Sequence, residues 1–108
     1  MSYTRKEFIK IIAPLAQKDS AKSNILASLT IAQAILESGY GNSGLTKQGN
    51  ALFGIKASGG WKGKVWTGKT LEYYDGKNAT SIIDGFRAYE TWQDSITDHS
   101  NLLLSHIS

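Results

Sequence analysis

The chain has 108 residues, enough for one domain with a modest core. Its net charge of +3 favours an anionic surface but is too small to indicate nucleic acid, and no basic run is interleaved with aromatics. The lack of cysteine excludes a disulfide framework and a thiolate metal site, and no apolar run is long enough to cross a membrane. The first residues, Met1 to Phe8, lead into an amphipathic pattern rather than the apolar core of a signal peptide. Thr4 and Glu7 form a capping box that opens a helix, in which Phe8, Ile11, Ile12 and Leu15 recur at helical spacing. Pro14 falls inside this pattern and predicts a kink or a break. The polar stretch from Asp19 to Asn24 predicts a connection.

A second helix is predicted over 28–38, with Ser28 as N-cap and Gly39 as a left-handed C-cap. Apolar residues run round most of its circumference, which predicts burial. Glu37 falls in its last turn. Apolar surroundings and the negative end of the helix dipole both disfavour the ionised form of a carboxyl group there. A carboxyl kept protonated near neutral pH is what a general acid needs. A solvated glutamate at a helix end is the alternative that these local features leave open.

From Gly39 to Gly63 the chain is rich in glycine, with Leu45, Leu52, Phe53, Ile55 and Trp61 scattered through it. A long irregular segment in a small domain is usually functional. Residues 65–73 read as a strand, Asp75 to Asn78 as a tight turn, and 80–89 as the returning strand. Thr91 or Asp94 caps a last helix carrying Ile96, His99 and Leu102. The order helix, helix, hairpin, helix predicts an α+β domain, a helical body with a small antiparallel β-hairpin lobe and a ligand cleft between the two.

Glu72 lies near the end of the first strand, on the face of Thr70 and Trp66 by alternation. Glycoside hydrolysis needs two carboxyl groups flanking the bond, or one plus a substitute; a pair stands about 6.5–9.5 Å apart for inversion and about 5–5.5 Å for retention. Trp61, Trp66, Tyr40, Phe53, Tyr73, Tyr74 and Tyr89 cluster in the middle of the chain. Most serve a core, and two or three are expected to face the cleft, where sugar rings stack. His99 and His106 are read as helix-face residues, and neither a metal nor an organic cofactor is expected. Leu102, Leu103, Leu104 and Ile107 crowd the final turns, more than one helical face can bury. This predicts pairing of two copies through the last helix.

Four segments, Ala32 to Gly39, Asn50 to Lys56, Thr70 to Tyr73 and Phe86 to Tyr89, resemble in order the motifs of the bacterial glucosaminidase family, glycoside hydrolase family 73. That family includes autolysins, flagellar peptidoglycan hydrolases and phage lysins. The resemblance runs from about Thr4 to about His106 and treats 1–108 as a single catalytic domain. It implies a lysozyme-like body with a β-lobe. The implied reaction is cleavage of the β-1,4 bond between N-acetylglucosamine and N-acetylmuramic acid in peptidoglycan glycan strands, outside the cell or at its wall. It carries the general acid onto Glu37 and the second carboxylate onto Glu72. There Glu72 activates water, or the substrate's acetamido group replaces a protein nucleophile. It places Phe53, Gly54, Lys56, Tyr73 and Tyr89 at the substrate.

Family domains usually continue past the last helix into a Tyr-Ala-x-Asp-type motif, which does not occur here. The resemblance therefore leaves open a short member, a fragment, or a site completed by another chain. Two other functions compete: a lytic transglycosylase, which needs one acid and yields anhydro products, and a glycan-binding module without turnover.

Overall fold

A computed structural model gives the protein the order α1 (Arg5–Ser23), α2 (Ala27–Ser38), α3 (Gly44–Gly49), β1 (Lys64–Tyr73), β2 (Ala79–Ala88) and α4 (Trp92–Ser105). The structure describes residues 2–73 and 79–106, with side chains over 2–69 and 83–106. The turn predicted at Asp75 to Asn78, Tyr74 and Ile107 lie outside the described residues. The α+β architecture is as expected: a helical body and one antiparallel hairpin.

The capping box at the head of α1 is formed. Thr4 Oγ1 accepts from the Glu7 N–H at 3.1 Å, and Glu7 Oε1 accepts from the Thr4 N–H at 2.9 Å. The Thr4 N–H, and then the Thr4 hydroxyl, hold the Glu7 carboxyl below the usual carboxylate range. Pro14 does not end the helix. Its ring is exposed, so the carbonyl it leaves without an intrahelical donor lies on the solvated side. Phe8, Ile12, Ala16 and Asp19 are buried on the opposite side and hold α1 in place through that point.

Three expectations are corrected. The stretch from Asp19 to Asn24 is the last turn of α1 and its left-handed cap at Asn24, not a connection. Asp19 is buried there, accepting from Ser100 Oγ of α4 at 2.6 Å and from Ser23 Oγ at 3.1 Å. Ser28 lies inside α2, whose N-cap is Leu26 with no side-chain capping bond. Nor is α2 buried all round. Its inner stripe is Thr30, Ala34 and Ser38, small residues at four-residue spacing that let it approach α1 closely, while Leu36 is 82% exposed. The glycine-rich segment also contains an unpredicted helix, α3, whose cap Ser43 accepts from the Thr46 N–H at 3.1 Å.

Two cores result. One joins Phe8, Ile12, Ala34, Leu52, Phe53 and Ile96 inside the helical body. The other, Leu45, Ala51, Phe86 and Tyr89 with Trp61 and Trp66 against them, seats the hairpin on α3. Strand register runs from Lys64 opposite Ala88 to Tyr73 opposite Ala79. Thr91 caps α4 by accepting from the Asp94 N–H at 3.1 Å. Leu102, Leu103 and Leu104 are half-buried.

Candidate active site

Of two neighbouring residues at the end of α2, one is buried and the other exposed. Consecutive helical residues are about 100° apart, so burying Ser38 turns Glu37 outward. Ser38 Oγ donates to the Ala34 carbonyl at 2.5 Å and accepts from the Gly41 N–H at 2.9 Å. The Ser38 carbonyl accepts from both Asn42 and Ser43 N–H at 3.0 Å. The chain leaves the helix through Gly39, Tyr40 and Gly41, all with positive φ. Gly41 has no room for a side chain, since a β-carbon there would lie 2.8 Å from Phe8 Cδ1 and 3.1 Å from a Trp92 ring atom. The turn behind Glu37 is thus bonded through Ser38 and packed at Gly41, while Gly39 is exposed. Glu37 itself is exposed. Among the described residues the apolar enclosure expected around its carboxylate is not present, and Glu37 is the solvated glutamate that the sequence leaves as the alternative.

The segment 50–57 runs beneath this carboxylate and is tied down along its length. Asn50 Nδ2 donates to the Tyr89 and Glu90 carbonyls, each at 3.1 Å. The Ala51 carbonyl accepts from Thr46 Oγ1 at 2.6 Å, and the Leu52 N–H donates to Ser95 Oγ at 3.0 Å. Phe53 is buried, its ring stacked on His99 at 3.8 Å between centroids. Gly54 follows with φ 62°, and a β-carbon on it would stand 3.7 Å from Glu37 Oε2. The Ile55 carbonyl accepts from the Arg87 N–H at 2.8 Å, and the Ala57 N–H donates to the Gly85 carbonyl at 3.0 Å. Lys56 between them is exposed, with Nζ 3.3 Å from Asp84 Oδ2. The Gly85 N–H and then Lys56 hold the Asp84 carboxyl below its ordinary value.

Of the predicted site residues, Glu37 and Gly54 are therefore brought together, with Lys56 two residues further along the same segment. Phe53 and Tyr89 are buried at 7% and 8% exposure, so neither ring is an open stacking surface. The Tyr89 hydroxyl donates to Asp98 Oδ2 at 2.6 Å. Burial, then that bond to a carboxylate, push the phenol strongly upward. Glu72 and Tyr73 lie on β1 opposite Thr80 and Ala79, and their side chains fall outside the described residues.

Sequence reasoning missed three supporting residues. Ser38 carries the turn behind Glu37. His99, on a face of α4 as read, is turned inward under Phe53, and its Nδ1 is buried without a partner. Asp98 receives Arg87 Nη1 at 3.1 and 3.2 Å as well as Tyr89. Only the serine had a local signal, its place directly after the glutamate. Among the described residues no group of three or more His, Cys, Asp or Glu is placed to hold a metal ion.

Residues 13–107 match the family model for glucosaminidase, described as mannosyl-glycoprotein endo-beta-N-acetylglucosaminidase. The chain is 44% identical over 97 residues to the exo-glucosaminidase LytG of Bacillus subtilis, covering 90% of this chain and 33% of that protein. It is 36% identical over 102 residues to the peptidoglycan hydrolase FlgJ of Escherichia coli K12, covering 91% of this chain and 32% of that one. The crystal structure of the catalytic domain of the autolysin Auto from Listeria monocytogenes superposes with a TM-score of 0.76 at 36% identity, over 95% of this chain and 59% of that chain. The chain spans about a third of the length of these two curated relatives.

Proposed function

The chain belongs to the glucosaminidase family, and from that premise we propose that it hydrolyses the β-1,4 bond between N-acetylglucosamine and N-acetylmuramic acid in peptidoglycan. The observation that carries this is the exposed carboxylate of Glu37 on a rigid helix end, above the bare backbone of Gly54. Glu37 donates a proton to the glycosidic oxygen as the bond from that oxygen to the anomeric carbon breaks. A water molecule adds to the anomeric carbon, and Glu72 on β1 takes its proton. Gly54 lets the sugar ring come down to the backbone, and Lys56 contacts it from the same segment. Tyr73 lies next to Glu72 on the lobe. Phe53 and Tyr89 support the floor from beneath. The substrate places the action outside the cell membrane, at the wall. Pairing of two copies through α4 belongs to the same proposal, supported by three half-buried leucines, and sedimentation velocity of wild type against Leu103→Glu tests it.

The deciding experiment is a zymogram on purified cell walls with mass analysis of borohydride-reduced products. Reduced N-acetylglucosamine ends are expected from wild type and are absent with Glu37→Gln. Anhydromuramyl ends would instead make the protein a transglycosylase. Retention on cell walls without bond cleavage would make it a binding module.

A further inference from the structure

The described fastenings of the hairpin to the body gather at its base. Trp66 Nε1 donates to Gln48 Oε1 of α3 at 2.6 Å, and the Tyr89 N–H donates to the Gly49 carbonyl at 2.8 Å. Segment 55–57 pairs with Gly85 and Arg87. The tie to α4 is ionic. Asp98 accepts from Arg87 Nη1 with both oxygens, at 3.2 and 3.1 Å, and from the Tyr89 hydroxyl at 2.6 Å. The Arg87 and Asp98 side chains are only 13% and 21% exposed. The Arg87 guanidinium also lies 4.6 Å above the Trp61 ring, which meets Tyr89 edge-on at 5.8 Å. One α4 carboxylate therefore holds Arg87 of β2 and Tyr89 just beyond it, and an indole closes over them.

Glu72 stands six residues beyond Trp66 along β1, about 20 Å at the rise of a strand. A tilt of about 5° at the base carries Glu72 about 2 Å by that length. Displacements of about 1 Å cost about 100-fold when two groups must act on one bond. We propose that Asp98 is a positioning residue: it fixes the base of the hairpin on α4 and so sets where Glu72 stands relative to Glu37. This rests on the assignment of Glu37 and Glu72 as the working carboxylates.

The test reads geometry and turnover separately. The chain has no cysteine of its own, so nitroxide labels at Lys10→Cys on α1 and Lys69→Cys on β1 report body-to-lobe distance without background. Asp98→Asn, which keeps the shape, and Asp98→Ala should each broaden or shift that distance distribution by about 1 Å, half the movement of Glu72, because Lys69 stands three residues beyond Trp66. Turnover should fall about 10- to 100-fold with KM changed less than about threefold. In a Glu72→Gln background the Asp98 substitution should cost no further turnover. Arg87→Lys, which keeps the charge but loses the planar guanidinium that lies over Trp61, should fall between wild type and Asp98→Ala. An unchanged distance distribution in folded Asp98→Asn and Asp98→Ala overturns the proposal, as does full additivity with Glu72→Gln. If Glu37→Gln keeps wild-type turnover, the carboxylate assignment fails while the label distances still judge the brace.

Discussion

Gly54 holds bare backbone against Glu37: a β-carbon built on it stands 3.7 Å from Oε2, in ordinary contact, and its φ of 62° is left-handed. Gly54→Ala therefore carries two separable costs. The backbone cost is about 1–2 kcal/mol. The second is a methyl group in the space where a sugar meets the acid. Turnover on cell walls should fall about tenfold or more, beyond what the lost stability explains. Urea unfolding beside a turbidity assay separates the two, and an alanine variant with full turnover would remove Gly54 from the site.

Ser38 links the fold to the acid. Its hydroxyl receives the Gly41 N–H and donates to the Ala34 carbonyl at 1% exposure. Ser38→Ala leaves a buried N–H without its partner, a loss of about 1–3 kcal/mol. Because the same turn holds Glu37, turnover should fall with stability in this variant. Ser38→Thr keeps the hydroxyl but adds a methyl against the packed turn, and should retain more activity than alanine only if that methyl is accommodated. Denaturant midpoints and initial rates on the same preparations check both.

Asp19 ties α1 to α4 through Ser100, 81 positions away in sequence. Asp19→Ala strands the Ser100 hydroxyl, itself 1% exposed, and should destabilise the domain by about 1–3 kcal/mol. Asp19→Asn keeps an acceptor and should cost less. Chemical denaturation of the pair measures the difference, and equal midpoints for the two variants would refute it.

Local signals in the sequence were good guides where the physics is local. The Thr4–Glu7 box, the left-handed Gly39 cap, the Thr91 cap and both strands all follow from residues within a few positions. Asp19 misleads because its partner is distant: a polar residue before a serine and an asparagine reads as a loop until Ser100 is beside it. The short helix α3 hides among glycines because its stability comes from Ser43 and from Leu45 in the hairpin core, not from a long apolar stripe. In α2 apolar residues round most of the circumference suggest burial throughout, yet only a stripe of small residues is buried, because close helix approach favours short side chains. Glu37 was legible from its place before a serine and a glycine stop. The sequence leaves its exposure open between an apolar-enclosed and a solvated carboxyl, since which side of α2 meets α1 is set by packing across the whole body.

His99 makes stability depend on pH in a predictable direction. Its ring stacks on Phe53 at 3.8 Å, and its Nδ1 is buried without a partner. Burial lowers its pKa from the ordinary 6.5, against the opposing pull of Asp19 and Asp98. Above 6.5 the imidazole is neutral in both folded and unfolded chains, and it contributes no pH dependence. As pH falls through the window between 6.5 and the lowered folded value, the unfolded chain takes up a proton that the folded one refuses. Stability then declines with falling pH across that window and levels off for this group below it. The consequence reaches the site, because Phe53 is the residue before Gly54 and sits on the ring that would become charged. Thermal unfolding from pH 8 down to about pH 5 should show a steeper loss in wild type than in His99→Gln, which cannot be protonated there. Parallel curves for the two proteins would show that His99 contributes nothing to the pH response.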